Sequence, residues 1–463
     1  MRSAIITESP QNFDSMPQET FDNARQTLIL TLLVWLTLGS LVNVRDQRSF
    51  SLQHAGIESL VERGTFDVRS ARAPDIKLAG DRFSYNGRML AAKQPGQFVW
   101  GAVPYLVLYQ VGFSYTDDFE FVATFNAWCS SSLAVALISG ILFWLVTQVW
   151  RLPRTWGYMI ALCVGFGSTL TAYSGVPHHD VLAACCLCAA LLALELSRTR
   201  KASSRWKYLG VAGGFLGLTV FCSMLPALLV AILFIYGLAT NRIADWIHLL
   251  AGTLIGLLPL FIYNGYYFSS PLIQANIAGN YSDTFFSFRA EQILERLNTY
   301  LGWGKISLLK YSPVTLLGLI GLFALPTELK RIRYLVLTLL CVHLFYLCNI
   351  GTTGHSQVGP RYLLPLIPFL SLGLCGWFGV SRFRAIGTAI LLSVFAFSAF
   401  VALMARLFGV MYRHTSQFAP MYWLKQSSLQ DVNLPLLLPG LLGLGVLVLA
   451  FKLLRSSTQT DSH

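Results

Sequence analysis

FVWGAVPYLVLYQVGF, residues 98–113, is the stretch on which the threading of this chain turns. It is apolar, yet its roughly 16 residues would extend only about 24 Å as a helix, short of a ~30 Å hydrocarbon core. Longer apolar runs lie on either side, at 27–44, 120–148, 155–173, 181–197, 208–222, 224–240, 245–264, 313–327, 334–350, 361–379, 385–407 and 434–452. Each reads as a membrane span. The basic loops decide how to read 98–113. If it does not cross, Arg151/Arg154, Arg198/Arg200/Lys201/Arg205/Lys207, Arg242, Lys330/Arg331/Arg333, Arg382/Arg384 and Lys452/Arg455 all share one face with the N-terminus. The positive-inside rule makes that face the cytoplasm; if 98–113 crosses, every later cluster flips outward. The segment is therefore expected to be a re-entrant or surface helix.

Composition agrees. The chain has 463 residues, 54% hydrophobic and 12% charged, against about 25% charged in a soluble domain. An all-α polytopic membrane protein of about 12 spans (roughly 10–13) is expected, in an inner or plasma membrane. The net charge of +12 follows from loop arginines and lysines, so it does not indicate nucleic acid. The nine cysteines lie in apolar segments, which argues against a disulfide framework or a loop metal pair. Residues 1–26 read as a cytoplasmic tail without a cleavable signal. Residues 27–407 read as the membrane module, and 408–463 as an outer loop, a last span and a cytoplasmic tail.

This threading gathers the chemistry on the outer face, in segments 45–119, 174–180, 264–312, 351–361 and 408–433. Five of the eight histidines (54, 178, 179, 355 and 414) fall there. Asp46, directly after the first run, lies where a carboxylate is partly desolvated and tuned as a base. An ion pair with Arg45 or Arg48 is the plainer alternative. The following SFSLQHAGIESLVERG reads as an amphipathic surface helix, with Phe50, Ile57, Leu60 and Val61 on one face. His54, Glu58 and Glu62 would form a solvated stripe opposite, and Gly64 would stop the helix. Tyr85-Asn86-Gly87 is a turn signal, and Pro95-Gly96 a break. Lys93 is thus offered at the bilayer edge, either to a lipid phosphate or as a snorkelling anchor.

His178-His179-Asp180 could hold a divalent ion, or Asp180 could cap the helix that follows. The aromatic loop 264–312 fits an interfacial belt. Arg361, in GTTGHSQVGPRYLLPL, places a charge at the lip of an apolar run, where such residues snorkel or bind something. His355 and Gln357 precede it on a glycine-punctuated turn.

Four local motifs carry a resemblance: Asp46 after the first run, Lys93-Gln94-Pro95-Gly96 closing the first loop, His178-His179-Asp180, and the segment from Gly354 to Pro365. Their order resembles the membrane-embedded GT-C glycosyltransferases, in the branch of protein O-mannosyltransferases and the lipid A aminoarabinose transferase. This chain departs where relatives carry Asp-Glu after the first span, since it has Asp46-Gln47. Gln94 also displaces the first proline of a Lys-Pro-Pro pattern. The resemblance implies a GT-C-like bundle whose long first outer loop carries surface helices. It further implies inverting transfer of a sugar from a polyprenyl-phosphate donor to a glycan, lipid or protein acceptor at the periplasmic or extracellular face. On this reading Asp46 is the first-choice base, with Glu62 and Asp81 in reserve. Asp180 is a supporting acid or metal ligand. Lys93 and Arg361 bind the donor phosphate, and His178, His179, His355 and Gln357 are candidate contacts to substrate or a divalent metal. The alternative is a transporter or flippase of a lipid-linked or small polar substrate.

Overall fold

The computed structural model describes residues 17–78, 80–281, 286–354, 357–379, 384–411 and 418–426. The run 434–452, His355 and His414 lie outside them. Among the described residues five helices are long and apolar enough to cross a membrane: Phe119–Val149, His179–Thr199, Ile243–Phe268, Thr327–Cys348 and Gly387–Phe408. Ala227–Thr240, Pro313–Ala324 and Arg361–Trp377 are shorter apolar helices. With Pro17–Gly39, Arg154–Gly167 and Ala202–Cys222, helices occupy every described run that the sequence marks as apolar. The chain is an integral membrane protein.

The helices used below are α1 (Pro17–Gly39), α2 (Val44–Ser49), α3 (Ser51–Arg63), α4 (Gly96–Gln110), α5 (Phe119–Val149) and α6 (Arg154–Gly167). They continue as α7 (His179–Thr199), α8 (Ala202–Cys222), α9 (Ala227–Thr240), α10 (Trp246–Phe268), α11 (Lys330–Cys348) and α12 (Arg384–Phe408). In lipid there is little hydrophobic force between helices, so close packing has to hold them together. Two indoles join α1 to α5: Trp35 Nε1 donates to the Trp128 carbonyl and Trp128 Nε1 to the Trp35 carbonyl, each at 3.0 Å. Glycines bring α8 and α10 together. A methyl group at Gly252 would overlap the Gly210 carbonyl, and one at Gly256 the Gly214 carbonyl. Because the obstacle is backbone rather than a movable side chain, the helices would have to separate. Gly252→Val is expected to destabilise the fold by about 1–3 kcal/mol or more. A lower apparent Tm and an earlier, broader size-exclusion peak in detergent would register this.

Near the opposite end of α7 a buried Glu195 is fully engaged. It accepts from Tyr236 Oη (2.5 Å), Arg331 (2.9 Å), Trp150 Nε1 (3.1 Å) and Arg198 (3.3 Å). A buried carboxylate persists only with such partners, and this one ties α9, α11 and the end of α5 to α7.

The first long loop corrects one expectation. α3 is helical as read, with Gly64 closing it at φ +65°, but its polar side is not solvated. His54 and Glu58 are fully buried. His54 meets Tyr115 Oη at 3.0 Å and Gln47 Oε1 at 3.2 Å, and burial pushes its pKa down to about 3. Glu58 accepts from the Arg72 N–H at 2.7 Å, while desolvation raises its carboxyl above the usual range. Glu62 accepts from Tyr105 Oη at 2.5 Å and pairs with Arg63 at 2.9 Å. Spacing along one helix does not reveal that α4 and the segment after Gly64 cover that face. Residues 98–110 of the deciding stretch lie in α4, a single helix that ends at Gln110. It packs on α3 through Phe98 against Gly56 and Gly101 against Ile57, while Val103, Leu106 and Val107 stay exposed.

Candidate active site

The site begins with a hairpin. Arg82–Tyr85 (β1) pairs antiparallel with Arg88–Ala91 (β2), and Asn86 and Gly87 turn the chain at φ +47° and +74°. Two consecutive residues at positive φ suit the twist of a two-residue hairpin. The strands bring the residues just beyond them together. Ala92 N donates to the Asp81 carbonyl at 2.7 Å, and Lys93 Nζ lies 2.7 Å from Asp81 Oδ2. Lys93, with Arg361 adding to it, holds the Asp81 carboxyl below its ordinary range.

The second element is the start of α7. His178, not Asp180, is the N-cap: its Nδ1 accepts from the Asp180 N–H at 3.3 Å. The expectation of an Asp180 cap is corrected, because a cap must precede the first turn and Asp180 already lies within it. The Tyr173, His178 and His179 rings form a row with centroids 4.8 Å apart at each step. Asp180 is therefore free for other contacts. Its Oδ1 accepts from Ser223 Oγ at 2.7 Å and lies 3.5 Å from His179 Nε2. Its Oδ2 is buried with no hydrogen-bond partner.

A cavity of about 130 Å³ is lined by Lys93, Gln94, His179, Asp180, Ser223 and Tyr362, among others. Arg361 stands beside it, its guanidinium 4.9 Å from the Tyr362 ring centroid and 3.2 Å from Tyr362 Oη. Arg361 Nε has no hydrogen-bond partner. Gly354, at φ +67°, lets the chain pass against this side chain; a Cβ there would come within 2.5 Å of Arg361 Nε. Two cations thus meet one carboxylate around a space whose buried Gln94 Oε1, His179 Nδ1 and Asp180 Oδ2 are unpartnered. Such groups are costly unless a polar ligand completes them.

Asp46 is not on that lining. It sits in the first turn of α2, where Asn43 accepts from its N–H at 2.9 Å. Its Oδ2 accepts from Val410 N at 2.7 Å. Val410 in turn accepts from Val358 N at 2.9 Å, and the Val358 carbonyl accepts from Tyr173 Oη at 2.7 Å. Asp46 therefore fastens segment 409–411 beside 357–358, close to Arg361. Arg48 pairs instead with Glu120 (2.8 Å) and Asp75 (3.4 Å). Burial raises the Asp46 carboxyl from 3.8 to about 6, against the pull of the Val410 and Met411 N–H groups and Arg406.

The folded chain consequently holds a proton at Asp46 that the unfolded chain gives up. This stabilisation is full below the unfolded pKa of 3.8 and is lost as pH rises through about 6. Asp46→Asn is neutral at every pH. Its stability relative to wild type should rise by about 2–3 kcal/mol between acid and neutral pH. Apparent melting temperatures of both proteins across that window would show the two curves diverging as pH rises from about 4 to about 6 and running parallel above it.

Of the remaining candidates, Glu62 is held in the first loop by Tyr105 and Arg63, and Gln357 is buried in a bridge with Met411, its Oε1 unpartnered. His355 lies outside the described residues. No group of three His, Cys, Asp or Glu side chains placed to hold a metal occurs among the described residues. Sequence reasoning missed Ser223 and Tyr362, as well as the buried Arg406, which donates to Ser174 Oγ at 2.6 Å and to the Leu38 carbonyl. Arg406 did carry a signal: a charge near the end of an apolar run.

No protein-family model matches the chain, and no curated protein matches it. Solved structures do. ArnT from Cupriavidus metallidurans bound to undecaprenyl phosphate matches at a TM-score of 0.50 and 15% identity, over 95% of this chain and 79% of that one. The apo state of that protein gives a TM-score of 0.49 at 15% identity, over 93% and 77%. The archaeal oligosaccharyltransferase AglB from Archaeoglobus fulgidus, in complex with an inhibitory peptide and a dolichol-phosphate, gives 0.48 at 11% identity, over 89% and 59%. The likeness to that ArnT structure is one of fold.

Proposed function

We propose that this integral membrane protein is a glycosyltransferase that moves a sugar from a polyprenyl-phosphate donor to an acceptor hydroxyl at the outer face of the membrane. The observation that carries the reading is a cavity lined by Lys93 and Asp180, with Arg361 beside it against the lining Tyr362. The fold it shares with ArnT, a protein whose structure holds undecaprenyl phosphate, supports the lipid-phosphate donor.

The acceptor oxygen attacks the anomeric carbon from the side opposite the phosphate, so the configuration inverts. The new C–O bond forms as the bond from that carbon to the phosphate oxygen breaks, and the lipid phosphate leaves with the electron pair. The acceptor proton passes to a carboxylate. Asp180 serves as the base, because its unpartnered Oδ2 belongs to a residue lining the cavity. Asp46, tied to Val410, positions the rim that carries Arg361. Lys93 contributes a point charge and Arg361 a planar fork to the phosphate as its charge grows. An arriving phosphate competes with Asp81 for Lys93. The active face is the one opposite the arginine-rich loops.

The assay is direct. Membranes containing the protein, given a radiolabelled polyprenyl-phosphate sugar and a mixture of envelope acceptors, should release free polyprenyl phosphate. Movement of intact labelled donor across vesicles without cleavage would overturn the enzyme reading in favour of a flippase.

A further inference from the structure

A second cavity, of about 960 Å³, lies at the other end of the bundle. Its lining includes Asn23 near the start of α1, Thr147 at the end of α5, Arg151, Arg154 at the start of α6, and Arg200 just past α7. The 21 residues of α7 separate it from Asp180 by about 30 Å. We propose that this cavity binds a phosphate group that carries its own hydrogen-bond donor, either a phospholipid headgroup from the adjoining leaflet or a free phosphate.

Three observations meet there. No carboxylate pairs with Arg151, Arg154 or Arg200 among the described residues; the nearby Glu195 is taken by Arg198 and Arg331. α6 enters the cavity through Pro153 and Arg154 without a side-chain cap, so its first N–H groups add to the positive field. Asn23, only 1% exposed, belongs to the lining and has an unpartnered Oδ1. The bias of basic residues toward one face accounts for arginines in these loops. It does not account for a cavity of this size or for a buried amide oxygen without a partner. The arginines and the helix start select an anion. The Asn23 oxygen selects one with a neighbouring hydroxyl or ammonium, which can donate to it. The volume falls in the range of organic-ligand sites, so a headgroup with its glycerol fits better than a bare ion.

Native mass spectrometry of the full chain, released from phosphatidylcholine nanodiscs doped with phosphatidylglycerol, should show retained phosphatidylglycerol. Arg151→Gln with Arg154→Gln should lower that retention by about fivefold per arginine removed. Asn23→Leu should erase any preference for phosphatidylglycerol over phosphatidylmethanol, which lacks the headgroup hydroxyl. Calorimetric titration of the delipidated protein with inorganic phosphate separates the sources. Arginine-dependent heat without lipid retention assigns the site to free phosphate. Should the double variant misfold, added salt is the second measurement, since it should strip phosphatidylglycerol and leave phosphatidylcholine. Equal retention of both lipids at all salt concentrations, together with no arginine-dependent phosphate heat, would overturn the proposal.

Discussion

Asp180→Asn is expected to slow release of polyprenyl phosphate by about 10²–10⁴-fold, the span that a positioned acid or base contributes. The variant keeps the shape of the side chain. Its carbonyl oxygen can still accept from Ser223, which bonds Asp180 Oδ1 at 2.7 Å, so the start of α7 should keep its place. What changes is the unpartnered Oδ2, replaced by an amide nitrogen that donates hydrogen and cannot take a proton. The loss should therefore fall on kcat, with donor KM nearly unchanged. Asp46→Asn separates the two acids. It should lower the rate far less, because Asp46 already accepts from Val410 N and one amide oxygen can keep that bond. If Asp46→Asn abolishes turnover and Asp180→Asn spares it, the base is Asp46 and the two carboxylates exchange roles.

Arg361→Ala is expected to lower kcat/KM for the donor by about 10²–10³-fold, the effect of removing one fixed donor to developing charge. Arg361→Lys should recover only part of this. A lysine restores charge but lacks the planar fork and the Nε that stands unpartnered in the structure. Tyr362→Phe, which removes the hydroxyl bonded to the guanidinium at 3.2 Å, serves as a control for orientation and should cost about tenfold or less. Full activity in Arg361→Ala membranes would exclude a contact between this residue and the departing phosphate.

The legible part of this molecule is the part set by lipid. Apolar runs have no stable choice other than helix in a bilayer, so α5, α7, α10, α11 and α12 follow from the sequence almost without neighbours. Lys93, Asp180 and Arg361 were legible for a related reason: each is a charge at the edge of an apolar run, an unfavourable place without a partner. The first long loop was not legible in that way. The spacing of His54, Glu58 and Glu62 is compatible with a wet face, and only the fold of α4 and residues 64–75 over it makes the face dry. Nor could spacing bring Ser223 to Asp180 or Arg406 to Ser174, contacts that join residues 43 and 232 positions apart.

The bond from Val410 to Asp46 joins residues 364 positions apart. During synthesis Asp46 leaves the ribosome early, and its partner follows only after the end of α12. Until Val410 is made, its bonds to Asp46 and Val358 cannot form, and the segment beside Arg361 lacks that fastening. A nascent chain halted before Val410 is therefore expected to carry every residue named for the chemistry and yet remain inactive. If the chain transfers sugar as proposed, activity would report that synthesis has passed Val410.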